Sequence, residues 1–225
     1  MSLGFFMSAR DIGLFLQSAR TDAKIEQRRA TLGQAAALES VYAESTDPWA
    51  SGSSRYRYQA RKYEVLAGLL PTRRFTSALD LGCGLGLLSR HLASRADQVL
   101  GVDIAPSALA EAARRSADLP NIDYACHDIT ALPAELDGRF DLVTVADVLY
   151  YLSPLPDALL KAMAMRVARL LQPGGICLLA NHYFFRADPE SRRSTRIHDA
   201  FRWCPDLSIA AEHRKPFYLA TLLQA

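Results

Sequence analysis

Residues 77–89 constrain the fold more than any other stretch of the sequence. A short apolar run is followed by three alternating glycines, Gly82, Gly84 and Gly86, and then by a helix-like pattern. Glycine reaches positive φ without steric cost and lets a ligand lie against the main chain, and the first turn of a helix offers unpaired N–H groups. The pattern therefore predicts a strand, a tight turn that binds a ligand, and a helix. The alternative is that glycine only lets the helix pack closely on the strand.

A second apolar run supports ligand binding at this turn. Residues 98–104 read as a buried strand that ends at Asp103, seventeen positions after Gly86. In a doubly wound sheet, a carboxylate at this point holds the hydroxyl groups of a ribose. A structural carboxylate in the turn after the strand is the alternative. The spacing thus favours a ligand that contains a nucleoside.

The residues around the glycines argue against a dinucleotide. A nicotinamide-binding motif would carry glycine at position 87, where Leu87 stands, and Asp80 lies two residues before the first glycine. The run from Asp80 to Gly86 resembles the first motif of the class I S-adenosylmethionine (SAM) methyltransferases, acidic-x-Gly-x-Gly-x-Gly. The resemblance implies a Rossmann-like α/β fold with SAM as the cofactor.

Composition and charge narrow the class of protein. The chain has 225 residues, 50% of them hydrophobic and 22% charged, which suffices to bury one substantial core. The formal net charge of +2 gives no global attraction to nucleic acid or to an anionic membrane. No apolar run approaches the roughly 20 residues of a membrane span, and no signal-peptide core is recognisable. We expect a cytoplasmic protein that acts on a small molecule, without nucleic-acid or membrane partners.

The four cysteines give no sign of a metal site. Cys83, Cys126, Cys177 and Cys204 are far apart and lie in or beside apolar runs. A zinc site would need paired spacing. We expect structural thiols and no metal.

Beyond the glycine motif, strand and helix patterns alternate as in an α/β sheet. Further strands are expected at residues 121–128, 140–146 and 176–180, and helices at 155–171 and 189–202, with Pro173-Gly-Gly closing the first of these helices. The last two apolar runs, 207–213 and 217–223, are so close that they must form an antiparallel hairpin. The order predicts a mostly parallel seven-stranded sheet with a C-terminal antiparallel hairpin.

The N-terminal part of the chain is expected to be separate from the sheet. We predict a helical extension at residues 1–45 and a methyltransferase domain at residues 46–225. Two roles fit the extension: a cap on the sheet, or an arm that packs on a second copy in a homodimer. Residues 46–55 are rich in turn formers yet contain Trp49, which predicts a lid.

From about Tyr42 to the C-terminus the chain is similar to the nodulation protein S group, small N-methyltransferases that act on amino-sugar oligosaccharides. The matching segments are Asp47-Pro-Trp49, Arg61-Lys62-Tyr63, the glycine motif, residues 147–152 and Pro173-Gly-Gly175. Two features depart from the group: Asp147 replaces the expected glutamate, and the C-terminal region matches poorly.

The methyltransferase resemblance also implies which residues contact the cofactor. Asp80 and the backbone at Gly82 would face the methionine part of SAM, Asp103 the ribose, and Asp128 the adenine amino group, with Ile129 packed on the ring. The other expected contacts are Trp49, Arg61, Cys83, Gly84, Gly86 and Ile104. For Asp128, capping of a loop is the alternative role.

Four side chains near the expected strand ends are candidates for catalysis. Transfer from a sulfonium depends mainly on alignment and on exclusion of water. An amine acceptor must also lose a proton, for which a carboxylate, phenol or imidazole is useful. The candidates are Asp147, Tyr150, Tyr151 and His182. Packing is the alternative role for one of the tyrosines, and a structural polar residue beyond the fifth strand is the alternative for His182.

We therefore expect SAM-dependent methylation of a small molecule, on nitrogen of an amino sugar or oligosaccharide. O-methylation of another small metabolite, RNA methylation and a non-catalytic SAM-binding regulator stay open as alternatives. RNA methylation would be favoured by an appended RNA-binding module or an Asn-Pro-Pro-Tyr-like motif, and we recognise neither in the sequence.

Overall fold

A mixed β-sheet forms the centre of the computed structural model, which describes residues 11–184, 186–215 and 217–225. The strands of this part of the chain are β1 (Phe75–Leu81), β2 (Ala96–Asp103), β3 (Ile122–Cys126), β4 (Phe140–Ala146), β5 (Leu171–Tyr183), β6 (Ser208–Lys215) and β7 (Phe217–Gln224). Their order in the sheet is β3-β2-β1-β4-β5-β7-β6. The first five strands pair in parallel, and β7 pairs antiparallel with both β5 and β6. The predicted mostly parallel seven-stranded sheet with a C-terminal hairpin is confirmed.

Helices cover both faces of the sheet. In the described residues they are α1 (Asp11–Leu32), α2 (Gln34–Glu44), α3 (Arg57–Leu69), α4 (Leu87–Ala93), α5 (Pro106–Arg115), α6 (Asp157–Leu170) and α7 (Pro189–Arg202). Successive residues of one strand enter different apolar clusters: Ala78 packs in the cluster that includes Leu66 of α3, and Leu79 packs in the cluster that includes Val167 of α6. Burial on both faces explains why these strands are continuously apolar instead of alternating. Over the described ranges, no helix combines the length and the hydropathy needed to cross a membrane.

The fifth strand is longer than predicted, and this moves a candidate residue. Pro173-Gly-Gly was expected to separate the helix from a strand at residues 176–180, but α6 ends at Leu170 and β5 runs from Leu171 to Tyr183. Pairing with β4 shifts register across the Pro-Gly-Gly segment, where Gly174 has φ of 75°. The glycine conformation lets the chain bulge within the strand. His182 therefore lies inside β5, paired with Tyr218 of β7, and not beyond the strand.

The N-terminal helices contact the sheet domain at the N-terminus of α5. Glu39 of α2 accepts hydrogen bonds from the backbone N–H of Ser107, at 3.1 Å, and from its hydroxyl. Ser107 lies in the first turn of α5, where a carboxylate pairs with otherwise unsatisfied N–H groups and with the positive end of the helix. Two helices were expected in this region, and α1 and α2 form them. The first ten residues of the predicted extension lie outside the described residues.

Gly82 and Gly138 provide a matched pair for testing the turn after β1. Both have positive φ, 69° and 65°. A Cβ atom on Gly82 would lie 2.2 Å from Cγ2 of Val148, whereas one on Gly138 would meet no described heavy atom within 4 Å. Left-handed backbone strain costs about 1–2 kcal/mol for alanine, and a steric clash in a packed region costs about 1–3 kcal/mol more.

We therefore expect Gly82→Ala to lower the free energy of unfolding by about 1–3 kcal/mol more than Gly138→Ala does. Urea unfolding followed by circular dichroism measures both variants. Equal losses would show that Val148 yields easily and that the turn is less tightly packed than the structure indicates.

Candidate active site

The glycine turn after β1 is tied to β2. The backbone N–H groups of Gly82 and Cys83 both donate to the carbonyl of Val102, at 2.8 and 3.0 Å. One carboxylate oxygen of Asp103 accepts from the N–H of Gly84 at 2.9 Å, and the other accepts from the N–H of Ala105 at 3.0 Å. Burial raises the pKa of Asp103, against the effect of these backbone hydrogen bonds. Asp103 therefore holds the turn while its remaining lone pairs stay available to a ligand.

Asp80 lies in the same cavity as the turn but is held by its neighbours. Its two carboxylate oxygens accept hydrogen bonds from the hydroxyls of Ser89 and Thr144, each at 2.6 Å. Burial raises the pKa of Asp80, and the two hydroxyls oppose that shift. Asp80 links β1 to α4 and β4. It therefore stabilises the turn in addition to any contact that it makes with a ligand.

Asp128 and Ile129 follow β3 at the same edge of the sheet. Asp128 Oδ1 accepts from the backbone N–H and the hydroxyl of Thr130, at 2.8 and 2.7 Å. This is the capping role that the sequence left open, and it occupies one of the two carboxylate oxygens. Ile129 is buried and presents an apolar surface beside it.

A single cavity of about 1020 Å³ joins the glycine turn to the region of the catalytic candidates. Of the predicted cofactor residues, it is lined by Trp49, Asp80, Gly82, Cys83, Gly84, Asp103, Ile104, Asp128 and Ile129. It is also lined by all four catalytic candidates, Asp147, Tyr150, Tyr151 and His182. Sites for one small molecule span about 300–1,000 Å³, so this cavity has room for a cofactor and a second molecule.

Two predicted cofactor residues are not part of this lining. The Arg61 side chain is about half exposed and pairs with Glu64 at 3.0 Å. Gly86 packs against Tyr124, whose hydroxyl would lie 2.2 Å from a Cβ atom at position 86. Gly86 thus matches the alternative interpretation, in which glycine allows close packing.

A buried ion pair lies at the centre of the cavity wall. Lys62 of α3 pairs with Asp147, which follows β4 with φ of 53°. The other oxygen of Asp147 accepts from the backbone N–H of His182 at 2.9 Å. Burial alone would raise the pKa of Asp147, but the charge of Lys62 and then that of His182 hold it below its ordinary value. Asp147 is therefore a weak proton acceptor in this arrangement. From the sequence alone, Lys62 had no role beyond its place in the Arg61-Lys62-Tyr63 segment, and the structure places it as the partner of Asp147.

His182 belongs to a second charged pair. Its Nε2 lies 2.8 Å from Oε2 of Glu190, and its Nδ1 lies 3.9 Å from Oδ1 of Asp147. Burial lowers the pKa of His182, but the hydrogen bond to Glu190 and the charge of Asp147 outweigh burial and raise it overall. The ring packs on Tyr150 at 4.9 Å between centroids. This arrangement favours the protonated imidazole, and that form donates hydrogen bonds and does not remove protons.

Aromatic rings close the cavity on the side of the N-terminal helices. Trp49 packs between Tyr42 and Tyr151, with centroids 5.3 and 5.8 Å away, and Tyr151 packs on Tyr150 at 4.5 Å. Burial raises the pKa of Tyr150 and of Tyr151 well above the usual phenol value. Both phenols stay neutral and act as hydrogen-bonding groups, not as bases. The segment predicted as a lid thus contributes Trp49 to a packed wall.

Several lining residues have no signal in the sequence. Asp22 on α1 accepts from Nε1 of Trp49 and from the hydroxyl of Tyr151, each at 2.8 Å. Tyr42 on α2 reaches the glycine turn, where its hydroxyl lies 2.9 Å from the position of a Cβ on Gly84. Both residues look in the sequence like ordinary positions of amphipathic helices, and only the packing of those helices brings them to the cavity.

Comparison with known proteins identifies the family. A family model described as "Methyltransferase domain" matches residues 78–175, which contain the glycine turn, Asp103, Asp128 and Asp147. Residues 78–175 thus match a methyltransferase domain, in agreement with the resemblance noted in the sequence. The family predicted from the sequence is confirmed, and SAM is the cofactor of this class.

Two relatives of this domain are named for different biological processes. A "Ubiquinone biosynthesis O-methyltransferase" from Chromobacterium violaceum is 38% identical over 99 residues, which cover 43% of this chain and 40% of that relative. The chain thus spans about two fifths of that relative's length. A "Nodulation protein S" from Sinorhizobium fredii is 28% identical over 129 residues, 57% of each chain.

A solved methyltransferase structure has a closely similar fold. The N-methyltransferase NodS from Bradyrhizobium japonicum, crystallised with S-adenosyl-l-homocysteine, aligns with a TM-score of 0.68 and 20% identity. The alignment covers 85% of this chain and 97% of that one. At this identity the likeness demonstrates a shared fold.

Loss of the buried ion pair between Lys62 and Asp147 should lower the stability of the fold. Lys62→Met leaves the Asp147 carboxylate buried without its partner, which costs about 3–5 kcal/mol. We expect that loss in chemical unfolding at neutral pH. Lys161→Met, which removes an exposed lysine on α6, is the control and should change stability by less than about 0.5 kcal/mol.

The effect of Lys62→Met should depend on pH in a defined direction. A carboxyl whose pKa is lowered by folding stabilises the fold above its ordinary pKa, and that contribution is lost as the pH falls through the lowered value. The difference between wild type and Lys62→Met should therefore shrink in acid. A variant as stable as wild type at neutral pH would contradict the buried pair.

Proposed function

We propose that this chain transfers the methyl group of SAM to an amine nitrogen of a small molecule, an amino sugar or an oligosaccharide that contains one. The observation that carries the proposal is the continuity of the cavity, which runs from the glycine turn to a polar and aromatic region around Tyr150 and His182. When bound, SAM supplies a methyl group on a positively charged sulfur. What the chain adds is binding, alignment and exclusion of water.

At the cofactor end, the described residues fit SAM. Asp103 has both carboxylate oxygens fixed by backbone N–H groups, and each oxygen keeps a lone pair for a ribose hydroxyl. The backbone at Gly82 and Gly84 borders the cavity without side chains, and Ile129 offers an apolar surface for a ring. These features support Asp103 as the ribose contact and Ile129 as an adenine contact. They support Arg61 and Gly86 less, because neither lines the cavity.

At the acceptor end, charge and aromatic surface support a polar acceptor held away from bulk water. Asp147 and His182 are each fixed in an ion pair, so we assign them to positioning the acceptor and the hydroxyls around it. The neutral phenols of Tyr150 and Tyr151 can accept or donate hydrogen bonds to an amine or a hydroxyl. Trp49 closes the wall beside them.

Similarity to a named N-methyltransferase supports nitrogen as the acceptor atom. The structure of the N-methyltransferase NodS from Bradyrhizobium japonicum aligns over 85% of this chain. O-methylation of a small metabolite is the second candidate, because the relative from Chromobacterium violaceum has the higher identity and is named an O-methyltransferase. Association of two copies through the N-terminal helices stays a prediction from the sequence.

Cofactor binding is tested by calorimetry with SAM and with S-adenosylhomocysteine. We expect dissociation constants near micromolar, about 8 kcal/mol of binding free energy, for wild type. Asp103→Ala should weaken both by more than about 10-fold because ribose hydroxyls lose their partner. Asp206→Ala, at an exposed position between α7 and β6, is the matched control and should bind like wild type. Tight binding of NAD without binding of SAM would contradict the proposal, and unchanged affinity in folded Asp103→Ala would remove the ribose assignment.

Methyl transfer is tested with a panel of acceptors and mass spectrometry of the products. The panel contains deacetylated chitooligosaccharides, simple amines, catechols and carboxylic acids, so that the methylated atom is identified directly. We expect a mass increase of one methyl group on an amine. Methylation confined to hydroxyls would favour the second candidate. SAM binding without turnover on any acceptor would point to a regulator.

A further inference from the structure

Asp22 lines the cavity, and only one of its two carboxylate oxygens accepts hydrogen bonds from described residues. Its Oδ1 accepts the hydrogen bonds from Trp49 and Tyr151, each at 2.8 Å, which fix the side chain in one orientation. Among the described residues, no group donates a hydrogen bond to Oδ2. Asp22 and both of its donors line the cavity that also contains the catalytic candidates.

Asp22 also forms no ion pair with a described cation, although the charge of His182 acts on it from beyond ion-pair distance. The other acidic side chains lining this end are paired with cations: Asp147 with Lys62, Glu190 with His182, and Glu26 with Arg29. Arg193 is exposed at the rim and donates to the backbone carbonyl of Tyr150 at 3.4 Å. Within the part of the chain that the structure describes, no cation forms an ion pair with Asp22.

A carboxylate that lines a cavity and has no ion-pair partner is suited to binding a cation. A partly buried charge is costly unless it is paired and hydrogen-bonded. Burial raises the pKa of Asp22 and the charge of Glu190 adds to this, whereas the hydrogen bonds from Trp49 and Tyr151 and the charge of His182 act to lower it. The rings of Trp49 and Tyr151 beside it add surfaces that attract cations.

We propose that Asp22 binds the ammonium group of the acceptor and removes its proton before methyl transfer. This rests on the proposed function, since it identifies the acceptor class of that same cavity. It also gives the N-terminal helices, predicted from the sequence as an extension outside the methyltransferase domain, a direct part in the site.

The proton step is balanced with groups that are present. An N–H bond of the ammonium breaks, its proton goes to Oδ2 of Asp22, and the electron pair stays on nitrogen. That nitrogen then bonds to the methyl carbon while the carbon–sulfur bond breaks and leaves its electron pair on sulfur. The proton on Asp22 returns to solvent. A neutral hydroxyl acceptor would gain little from this carboxylate, so Asp22 favours amines over alcohols.

The sulfonium of SAM is a competing cation for Asp22, and binding measurements separate the two. If Asp22 served the sulfonium, Asp22→Asn would weaken SAM relative to S-adenosylhomocysteine, which has no charge on sulfur. If Asp22 serves the acceptor, the ratio of these two affinities stays unchanged. Neither measurement requires turnover.

Acceptor binding is measured by calorimetry with S-adenosylhomocysteine bound. The probes are deacetylated chitobiose and hexylamine, each compared with its N-acetylated form, which keeps the shape and loses the positive charge. We expect wild type to prefer at least one amine, and Asp22→Asn to weaken its binding by roughly 10- to 100-fold while the N-acetylated form is unaffected. Glu44→Gln, which removes a carboxylate on α2 that pairs with Lys24 and Arg28 at the surface, should behave like wild type.

Each other result contradicts the proposal. Wild type that binds amines no better than their N-acetylated forms, or Asp22→Asn that keeps the preference, would show that Asp22 does not recognise an ammonium. Selective loss of SAM affinity would assign Asp22 to the cofactor. Failure of the proposed function is distinguishable, because it appears as absent binding of SAM and S-adenosylhomocysteine in wild type.

Discussion

The hydrogen bonds between the turn after β1 and the end of β2 are the constraint on which the site depends. Val102 and Asp103 accept backbone N–H groups from the turn, so a main-chain carbonyl and a side chain fix its shape together. Because Asp103 is oriented by the same bonds, the turn and the carboxylate form one unit. The cofactor end of the cavity is therefore held in shape by the protein's own hydrogen bonds, and such preorganisation lowers the entropy cost of binding.

The acceptor end is organised differently, by charges from distant parts of the chain. Lys62 and Asp147 are 85 residues apart, and Tyr151 and Asp22 are 129 residues apart, yet each pair is in hydrogen-bond contact. The paired charges at this end neutralise each other, whereas Asp22 forms no ion pair with a described residue. The difference assigns positioning of the acceptor to the paired groups Asp147 and His182, and recognition of its positive charge to Asp22, which we propose as the ammonium site.

The features that the sequence predicted correctly depend on residues that are close together in the chain. The glycine turn, Asp103 and the C-terminal hairpin each follow from spacing within about twenty residues, and the fold confirms the sheet that they imply. The extent of β5 was wrong because glycines that look like a helix stop instead permit a bulge inside a strand. Asp22, Tyr42 and the pairing of Lys62 were out of reach, since an amphipathic helix does not reveal from its own sequence which partner its polar residues meet.

The most direct test of the central claim is a crystal structure of the chain with S-adenosylhomocysteine. We expect the ribose hydroxyls to bind Asp103 and the sulfur to face the end of the cavity lined by Tyr150 and Tyr151. Space beside Asp22 should remain for an acceptor. A ligand that occupies the region of Asp22 and leaves Asp103 without contact would contradict the division of the cavity into a cofactor end and an acceptor end.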